Sequence, residues 1–437
     1  MKVLKFGGTS LGSSQRMKNV AQLIREGEKK IVVLSAMSGT TNTLIDIAAC
    51  FYQKDKESAY EIIGKHEQRY AIEIDQLFST SLYKEKAQAE ITNCFHHIWS
   101  FSEGPFTHFE EKDIVAQGEI MSCCMMNYYL QECGVHSVLL PALDFMRTTV
   151  DAEPDLDYIS EKLTSLLNQN KDAEIYITQG FICRNAFGQV DNLKRGGSDY
   201  TASLIGAALH SEEIQIWTDI DGMHNNDPRF VNGTSPVRQL NFEEAAKLAY
   251  FGAKILHPTC ILPAKTHNIP VRLLNTLDPA APGTLISNTA EKGKIKAVAA
   301  KDGITYVKIK SERSLVLHKF LSKVFETFAS YQTPVDMVTT SEIGVSVTID
   351  DKTHLPEIIK ELQPYASVTL EEDMVIICVV GDLEWQNIGF EASIINSLKD
   401  IPVRMISYGG SNSNVSLVMK AADKKRALQA LSESLFG

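Results

Sequence analysis

A chain of 437 residues exceeds what one hydrophobic core usually serves, so roughly two or three domains are expected. With 44% apolar and 22% charged residues it reads as a folded globular chain, which excludes a disordered one. The formal charge of -11 excludes a general attraction to nucleic acid or anionic membrane, so an anionic ligand must be met by a few placed cations.

The opening M-K-V-L-K-F-G-G has too few apolar residues before its glycines to form a signal peptide, and no stretch approaches the ~20 apolar residues of a membrane span. The cysteines, from Cys50 to Cys378, are scattered without a C-x-x-C pair. Isolated thiols in a reducing cytoplasm fit them better than disulfides or a zinc site. No metal-ligating cluster is read.

Through the first ~290 residues short apolar runs alternate with amphipathic stretches, the pattern of a mainly parallel sheet with crossover helices. Strands are expected at Val3 to Phe6, Ile31 to Ser35, Ser137 to Leu140, Glu174 to Gln179 and Ile214 to Thr218. The first ends in K-F-G-G-T-S, where Gly7 and Gly8 let backbone N–H groups approach an anion, Lys5 supplies charge, and Thr9 and Ser10 can open a helix. Ser13 and Ser14 stand where a P-loop requires Lys-Ser/Thr, so this is not a Walker loop. Taken alone it reads equally well as a tight turn. The second strand runs into S-A-M-S-G-T-T-N, which crowds Ser35, Ser38, Gly39, Thr40 and Thr41 at a strand end, with helix capping by Thr41 or Asn42 as the plain alternative.

The stretch from Ala49 to Glu111 is polar, aromatic-rich and poor in Gly and Pro, and reads as a helical insertion or lid. G-E-I-M-S places Glu119 at the start of an apolar helix, either as a first-turn glutamate favoured by the helix dipole or as a site for a substrate ammonium. In L-K-R-G-G-S-D-Y-T-A, Arg195 can grip a carboxylate with both prongs, Gly196 and Gly197 again bring backbone close to an anion, and Ser198 or Asp199 can cap the next helix. Two Gly-Gly turns with neighbouring cations point to two anionic ligands. W-T-D-I-D-G offers Thr218 and Asp219 to a base or ribose, and N-D-P-R and F-G-A-K-I-L-H-P offer Arg229 and Lys254 to phosphates. Trp217 reads as core, and His257 as structural.

After the Pro279 to Gly283 connector comes an internal repeat. Ile304 to Lys310, the helix His318 to Tyr331, Val335 to Glu342, Gly344 to Asp350 and the helix Leu355 to Leu362 form a β-α-β-β-α series. Met374 to Val380, the helix Gly389 to Leu398, Val403 to Gly410, Asn414 to Lys420 and the helix Asp423 to Leu435 repeat it. Ser367 to Glu371 serves as the last strand of the first copy; the second lacks one, and Ala297 to Ala300 is the expected donor, nesting one module in the other. Ferredoxin-like modules of this kind suit binding or dimerisation. The boundaries expected are 1–290 for the catalytic part, 291–303 for connector and donated strand, 304–373 and 374–437 for the two modules.

The set K-F-G-G-T-S, S-A-M-S-G-T-T-N, G-E-I-M-S, G-F-I-C-R, R-G-G-S-D-Y-T-A, W-T-D-I-D-G, D-P-R and F-G-A-K-I-L-H-P resembles the aspartokinases, in order and over nearly the whole chain. The resemblance implies an α/β amino-acid kinase fold followed by two ACT modules, one nested in the other, without a fused homoserine dehydrogenase. It implies ATP-dependent phosphorylation of the L-aspartate side chain to give 4-phospho-L-aspartate, first step towards lysine, threonine and methionine. ATP would bring Mg²⁺. Lys5 and Asp199 would be catalytic. Lys5, Gly7, Gly8, Ser10, Thr218, Asp219, Arg229 and Lys254 would hold ATP, and Ser35, Thr41, Glu119, Arg195, Gly196 and Ser198 would hold aspartate. An amino-acid effector, lysine in first place, would meet Asp336, Thr340, Ser341 and Glu342, and the ACT modules would pair chains into a homodimer or higher. Neither nucleic acid nor membrane is an expected partner.

The chain departs from the family pattern at His224, Asn225 and Asn226, where an aromatic and Thr or Ser are usual, and in the short L-H-K-F-L stretch from Leu317 to Leu321. A kinase of glutamate, acetylglutamate or carbamate is the nearest alternative, opposed by the paired tail modules. A non-catalytic amino-acid sensor is the other, opposed by the intact Lys5, Arg195 and Asp199.

Overall fold

The computed structural model describes every residue except 194–195, 253–255, 290, 312–316 and 342, together with the side chains of 317 and 318. The chain divides into two compact units, residues 1–223 with 256–288, and residues 224–255 with 289–437. Residues 224–255, placed with the catalytic half in the sequence reading, thus group with the tail.

In the first unit, strands Ser137–Leu139, Ile175–Gln179, Lys30–Leu34, Lys2–Phe6, Ile214–Thr218, Val271–Asn275 and Thr284–Ser287 stand side by side in that order. All neighbours are parallel except the last pair, which is antiparallel. All five strands read from the sequence are present. The I-V-V-L run of Lys30–Leu34 is buried throughout, as a strand covered on both faces requires. Lys5 lies opposite Val33 and Ile216, near the carboxyl end of the middle of the sheet.

The stretch read as an insertion forms helices Lys56–Leu77 and Ser81–Ser100, between Thr40–Tyr52 and His108–Glu132. Tyr70, Ile74, Ile91 and Phe95 are buried in the same core as Phe6 and Val32. These helices are therefore packed structure, the plain alternative that the sequence also allowed beside a lid. Burial pushes the His66 imidazole down to about 4, so this ring stays neutral inside the cluster.

The second unit carries one continuous sheet, in the order Met337–Ser341, Gly344–Ile349, Ile295–Ser311, Ala366–Gly381, Asn414–Lys420, Met405–Ser407. Two long central strands join the repeats. Ala297 to Ala300 pair with Val380 to Ile377, and Tyr306 to Lys310 pair with Glu371 to Ser367. The early part of the first long strand thus serves the second module and its later part the first, which is the nesting expected. Each module has its own apolar core, one around Ile377, Leu417 and Leu428, the other around Val307, Val347 and Ile358. A capping box between Asn241 and Glu244 opens the helix Phe242–Tyr250 of this unit.

Candidate active site

Parallel strands deliver their loops to one edge, and the first unit uses this edge for its glycine turns. After Lys2–Phe6 the chain passes through Gly7 into a short 3-10 turn at Gly8–Leu11. A Cβ on Gly8 would lie 2.9 Å from the Ala36 carbonyl oxygen, so only glycine lets this turn touch the next loop. The neighbouring strand ends at Leu34, and Gly39, at φ 83, turns the chain into Thr40–Tyr52. The N-cap is Gly39, which removes the capping role from Thr41 and Asn42. Between these turns and the start of helix Gly197–Leu209 lies a cleft of about 430 Å³, lined by Gly8, Thr9, Ser35 to Gly39, Thr41, Asn42, Glu119, Phe181, Gly197 and Ser198.

Lys5 Nζ pairs with Asp199 Oδ1 at 2.6 Å, both side chains largely buried. Asp199 sits in the first turn of its helix, which Gly196 enters at φ 77 without a side-chain cap. Ser198 therefore faces inward instead of capping, and accepts from Ser35 Oγ at 2.8 Å. A Cβ on Gly180 would sit 2.3 Å from that of Ser198, so a third glycine belongs to the same close approach. Arg195 and Lys254 lie outside the described residues.

Glu119 differs from its sequence reading. The helix begins at His108 behind a Thr107–Glu110 capping box, which puts Glu119 in its middle and far from the favourable end of the dipole. Its Oε1 accepts from Ala36 N at 3.3 Å, while Oε2 is buried without a partner. Burial pushes its carboxyl up to about 8, only partly opposed by the Ala36 N–H. Gly118 makes this possible, since a Cβ there would stand 2.9 Å from that of Ala36. Ser122 Oγ donates to the Ser35 carbonyl at 2.7 Å and ties helix to loop.

On the far side of the Gly8–Leu11 turn, Thr9, Ser10, Arg16, Asp219 and Thr276 line a smaller recess. Thr276 joins the groups there, donating to the Thr218 carbonyl at 2.9 Å and lying 3.3 Å from Ser10 Oγ. Thr9 lines both recess and cleft. Trp217 is buried and stacks on Phe6, a core residue as expected. His257 caps the helix Pro258–Thr266 by accepting from Thr259 N, a structural role as expected.

The structure thus brings together Lys5, Gly7, Gly8, Ser35, Thr41, Glu119, Ser198 and Asp199, and groups Ser10, Thr218 and Asp219 beside them. Arg229 belongs to the second unit, where its guanidinium holds Asp227 at 2.6 Å. The family departures also serve that unit: His224 Nδ1 lies 2.9 Å from the Thr234 hydroxyl, Asn225 Oδ1 accepts from Ser235 N at 2.9 Å, and Asn226 Nδ2 donates to the Leu428 carbonyl at 3.0 Å. Asp336 is buried under Tyr250 and Lys301, whereas Thr340 and Ser341 are exposed on an edge strand; Glu342 lies outside the described residues. Sequence reading missed Arg69, whose Nη2 donates to the Ser38 carbonyl at 2.8 Å, and Tyr70, whose hydroxyl shares a 3.1 Å hydrogen bond with Thr40. Neither carries a local signal, because both arrive from the inserted helices. Arg16 and Thr276 were missed likewise.

The sequence model of the Amino acid kinase family matches residues 1–275, and that of an ACT domain matches residues 377–435. Lysine-sensitive aspartokinase 3 of Escherichia coli is 31% identical over 99% of this chain and 99% of its own. The chain belongs to the aspartokinase family. Aspartokinase 1, chloroplastic, of Arabidopsis thaliana is 34% identical over 99% of this chain and 80% of its own. Among solved structures, Escherichia coli aspartokinase III in complex with aspartate and ADP superposes with a TM-score of 0.84 at 30% identity, covering 100% of both chains. The same enzyme in complex with lysine and aspartate gives 0.81 at 31% identity, again over 100% of both. The resemblance read from the motifs is thereby established, and with it a kinase that binds ATP.

Proposed function

We propose that this chain is an aspartate kinase in which an oxygen of the ionised L-aspartate side chain attacks the γ-phosphorus of ATP, the bond from that phosphorus to the bridging oxygen breaks, and 4-phospho-L-aspartate and ADP result. The observation that carries the reading is a cleft lined by the buried, half-satisfied Glu119 together with Gly8, Gly197 and Ser198, the chain neighbourhood of the Lys5–Asp199 pair. An aspartate side chain, with a usual pKa of about 3.9, is already ionised at neutral pH, so no general base is needed. The demand is positioning and the screening of two anions.

Lys5, held by Asp199, supports the transferring phosphoryl group together with the backbone of Gly7 and Gly8. Glu119 takes the substrate ammonium on its free Oε2. Ser35, Thr41, Arg195, Gly196 and Ser198 fix the rest of the amino acid, and Ser10, Thr218 and Asp219 serve the nucleotide. Mg²⁺ fits the donor set as an ion carried by phosphates. It dehydrates reluctantly and is usually held by one or two carboxylates, and among the described residues no group of three His, Cys, Asp or Glu side chains forms a cage. Asp199 is the carboxylate that would face it.

The reading extends to a cytoplasmic enzyme of lysine, threonine and methionine synthesis, with catalytic residues 1–290, connector 291–303 and ACT modules 304–373 and 374–437. An amino-acid effector, lysine first, acts at Asp336, Thr340, Ser341 and Glu342, and the modules pair chains into a homodimer or larger assembly. No helix among the described residues is long and apolar enough to cross a membrane. ATP, Mg²⁺ and a panel of acids with hydroxylamine test the central claim by trapping acyl phosphate as hydroxamate. Hydroxamate should form with aspartate; none with aspartate, or a preference for glutamate, acetylglutamate or carbamate, refutes it.

A further inference from the structure

The inserted helix Lys56–Leu77 buries Tyr70, Ile74 and Leu77 in the core of the first unit, yet a neighbouring stripe of it does not face that core. Arg69, Glu73 and Gln76 follow one another at helical spacings of four and three residues, so their side chains leave the helix on one side. That side meets two separate loops. Arg69 Nη2 donates to the Ser38 carbonyl at 2.8 Å, and next to it the Tyr70 hydroxyl shares a 3.1 Å hydrogen bond with Thr40 Oγ1. One turn further, Glu73 Oε2 accepts from Ser14 N at 2.6 Å, and Gln76 Oε1 accepts from Ser14 Oγ at 3.1 Å. Lys18 Nζ adds a bond to the Gln76 carbonyl at 2.7 Å.

Both loops belong to the catalytic edge. Ser38, Gly39 and Thr41 line the cleft read above as the aspartate site. Ser14 opens the helix Ser14–Ile24, which Gly12 and Ser13 join to the Gly8–Leu11 turn. Its N–H is one of the donors that a helix start cannot satisfy from within, and the Glu73 carboxylate meets it at the positive end of the helix dipole. The two loops also touch: a Cβ on Gly12 would lie 3.3 Å from that of Ser38. One side of the inserted helix thus holds both partners of a loop-to-loop contact.

Phosphoryl transfer between two bound molecules depends on their separation, and a misplacement of about 1 Å can cost about 10²-fold in rate. We propose that the helix Lys56–Leu77 is a strut that fixes this separation, with Arg69 as a positioning residue for the aspartate loop and Glu73 as one for the phosphate turn. Neither side chain lines the cleft, so each acts through the loop it holds. The proposal rests on the reading that aspartate meets the first loop and ATP the second.

Steady-state kinetics of the full-length protein, with aspartate and ATP varied in turn, test it. Arg69→Met should raise KM for aspartate about tenfold and leave KM for ATP within about twofold; Glu73→Leu should do the reverse. Both should lower kcat about tenfold, the shared sign of a lost separation. Arg69→Lys and Glu73→Gln, which keep a donor and an acceptor, should recover most of each loss. Both positions are partly exposed, so the melting temperature should fall by about 3 °C or less. Unaltered kinetics in either variant overturn the proposal. A parallel rise of both KM values, or a large loss of stability without rescue, overturns it too, since a merely structural helix would show either. Wild-type protein that forms hydroxamate with aspartate while the variants keep its kinetics refutes the strut alone; wild-type protein that forms none removes the reading beneath it as well.

Discussion

If Glu119 receives the substrate ammonium as proposed, the burial that pushes its carboxyl up to about 8 gives the enzyme a specific pH signature. With its carboxyl pushed up to about 8, Glu119 should be mostly protonated in the free protein at pH 7, about ten to one if the value is 8. On the proposed role aspartate binds the ionised form, so KM for aspartate should follow one plus the ratio of protonated to ionised Glu119. This puts KM about elevenfold above its limiting value at pH 7, about hundredfold at pH 6 and within about 10% of it at pH 9. Over that lower range the side chain and ammonium of aspartate do not titrate, so the slope belongs to the protein. Turnover should stay flat, because the bound complex holds Glu119 ionised. Calorimetry in buffers of different ionisation enthalpy should count about 0.9 proton released per aspartate bound at pH 7. Glu119→Gln should raise KM and abolish both slope and proton release. A wild-type KM constant from pH 6 to 8.5, or an unchanged slope in the variant, refutes the reasoning. Stability has its own sign: a raised acid pKa stabilises the fold below pH about 4.5, and this contribution is lost as pH rises to about 8. The loss, on the order of 5 kcal/mol, should be absent in Glu119→Gln when unfolding is followed against pH.

Lys5→Ala should lower kcat by about 10²–10³ with little change in aspartate KM, as expected for a charge used mainly in the transition state; near-normal turnover removes Lys5 from the mechanism. Gly180→Ala drives a methyl against Ser198 and should cost about 1–3 kcal/mol of stability, with a rise in aspartate KM from the displaced Ser35–Ser198 hydrogen bond, read by denaturation and steady-state kinetics. Thr107→Ala removes one half of the capping box and should cost about 1 kcal/mol while leaving kinetics alone. Succinate, which lacks the ammonium, should be rejected more strongly as pH rises past 8, because only the ionised Glu119 suffers from being left unpaired; inhibition constants across pH measure this.

The glycine turns were legible because close backbone approach leaves a mark in the sequence: only glycine fits at Gly8, and K-F-G-G and R-G-G announce their contacts locally. Strand positions were legible for the same kind of reason, as buried parallel strands read as short apolar runs. Glu119 was misplaced although T-H-F-E, from Thr107 to Glu110, carries the capping signal that starts its helix eleven residues earlier. The joining of the two modules was half legible. Ala297 to Ala300 and Ile304 to Lys310 read as two separate strands, yet one strand runs from Ile295 to Ser311, with shifts of register near Lys301 and Ile304. The grouping of 224–255 with the tail had no local sign, since it rests on distant bonds such as Val298 N to the Asn225 carbonyl and Asn226 to Leu428.

The electrostatics of the cleft follow from the protein's own acidity. A chain with an excess of carboxylates must bring an amino acid with two carboxylates side by side with a nucleotide, and a free carboxylate in the cleft would repel those groups. Two carboxyl groups are nevertheless there. Asp199 is neutralised by Lys5, which in turn is aimed by it, so the pair contributes direction at little net charge. Burial favours the protonated form of Glu119, and in the proposed role an ammonium replaces that proton. The empty cleft therefore presents hydroxyls from Thr9, Ser35, Ser38, Thr41 and Ser198 and backbone N–H groups, all compatible with anions, and acquires its one uncompensated negative charge only with the substrate whose positive charge cancels it. On the proposed role of Glu119, selection of an amino acid and tolerance of phosphates become one device, set by burying this carboxyl with a single donor.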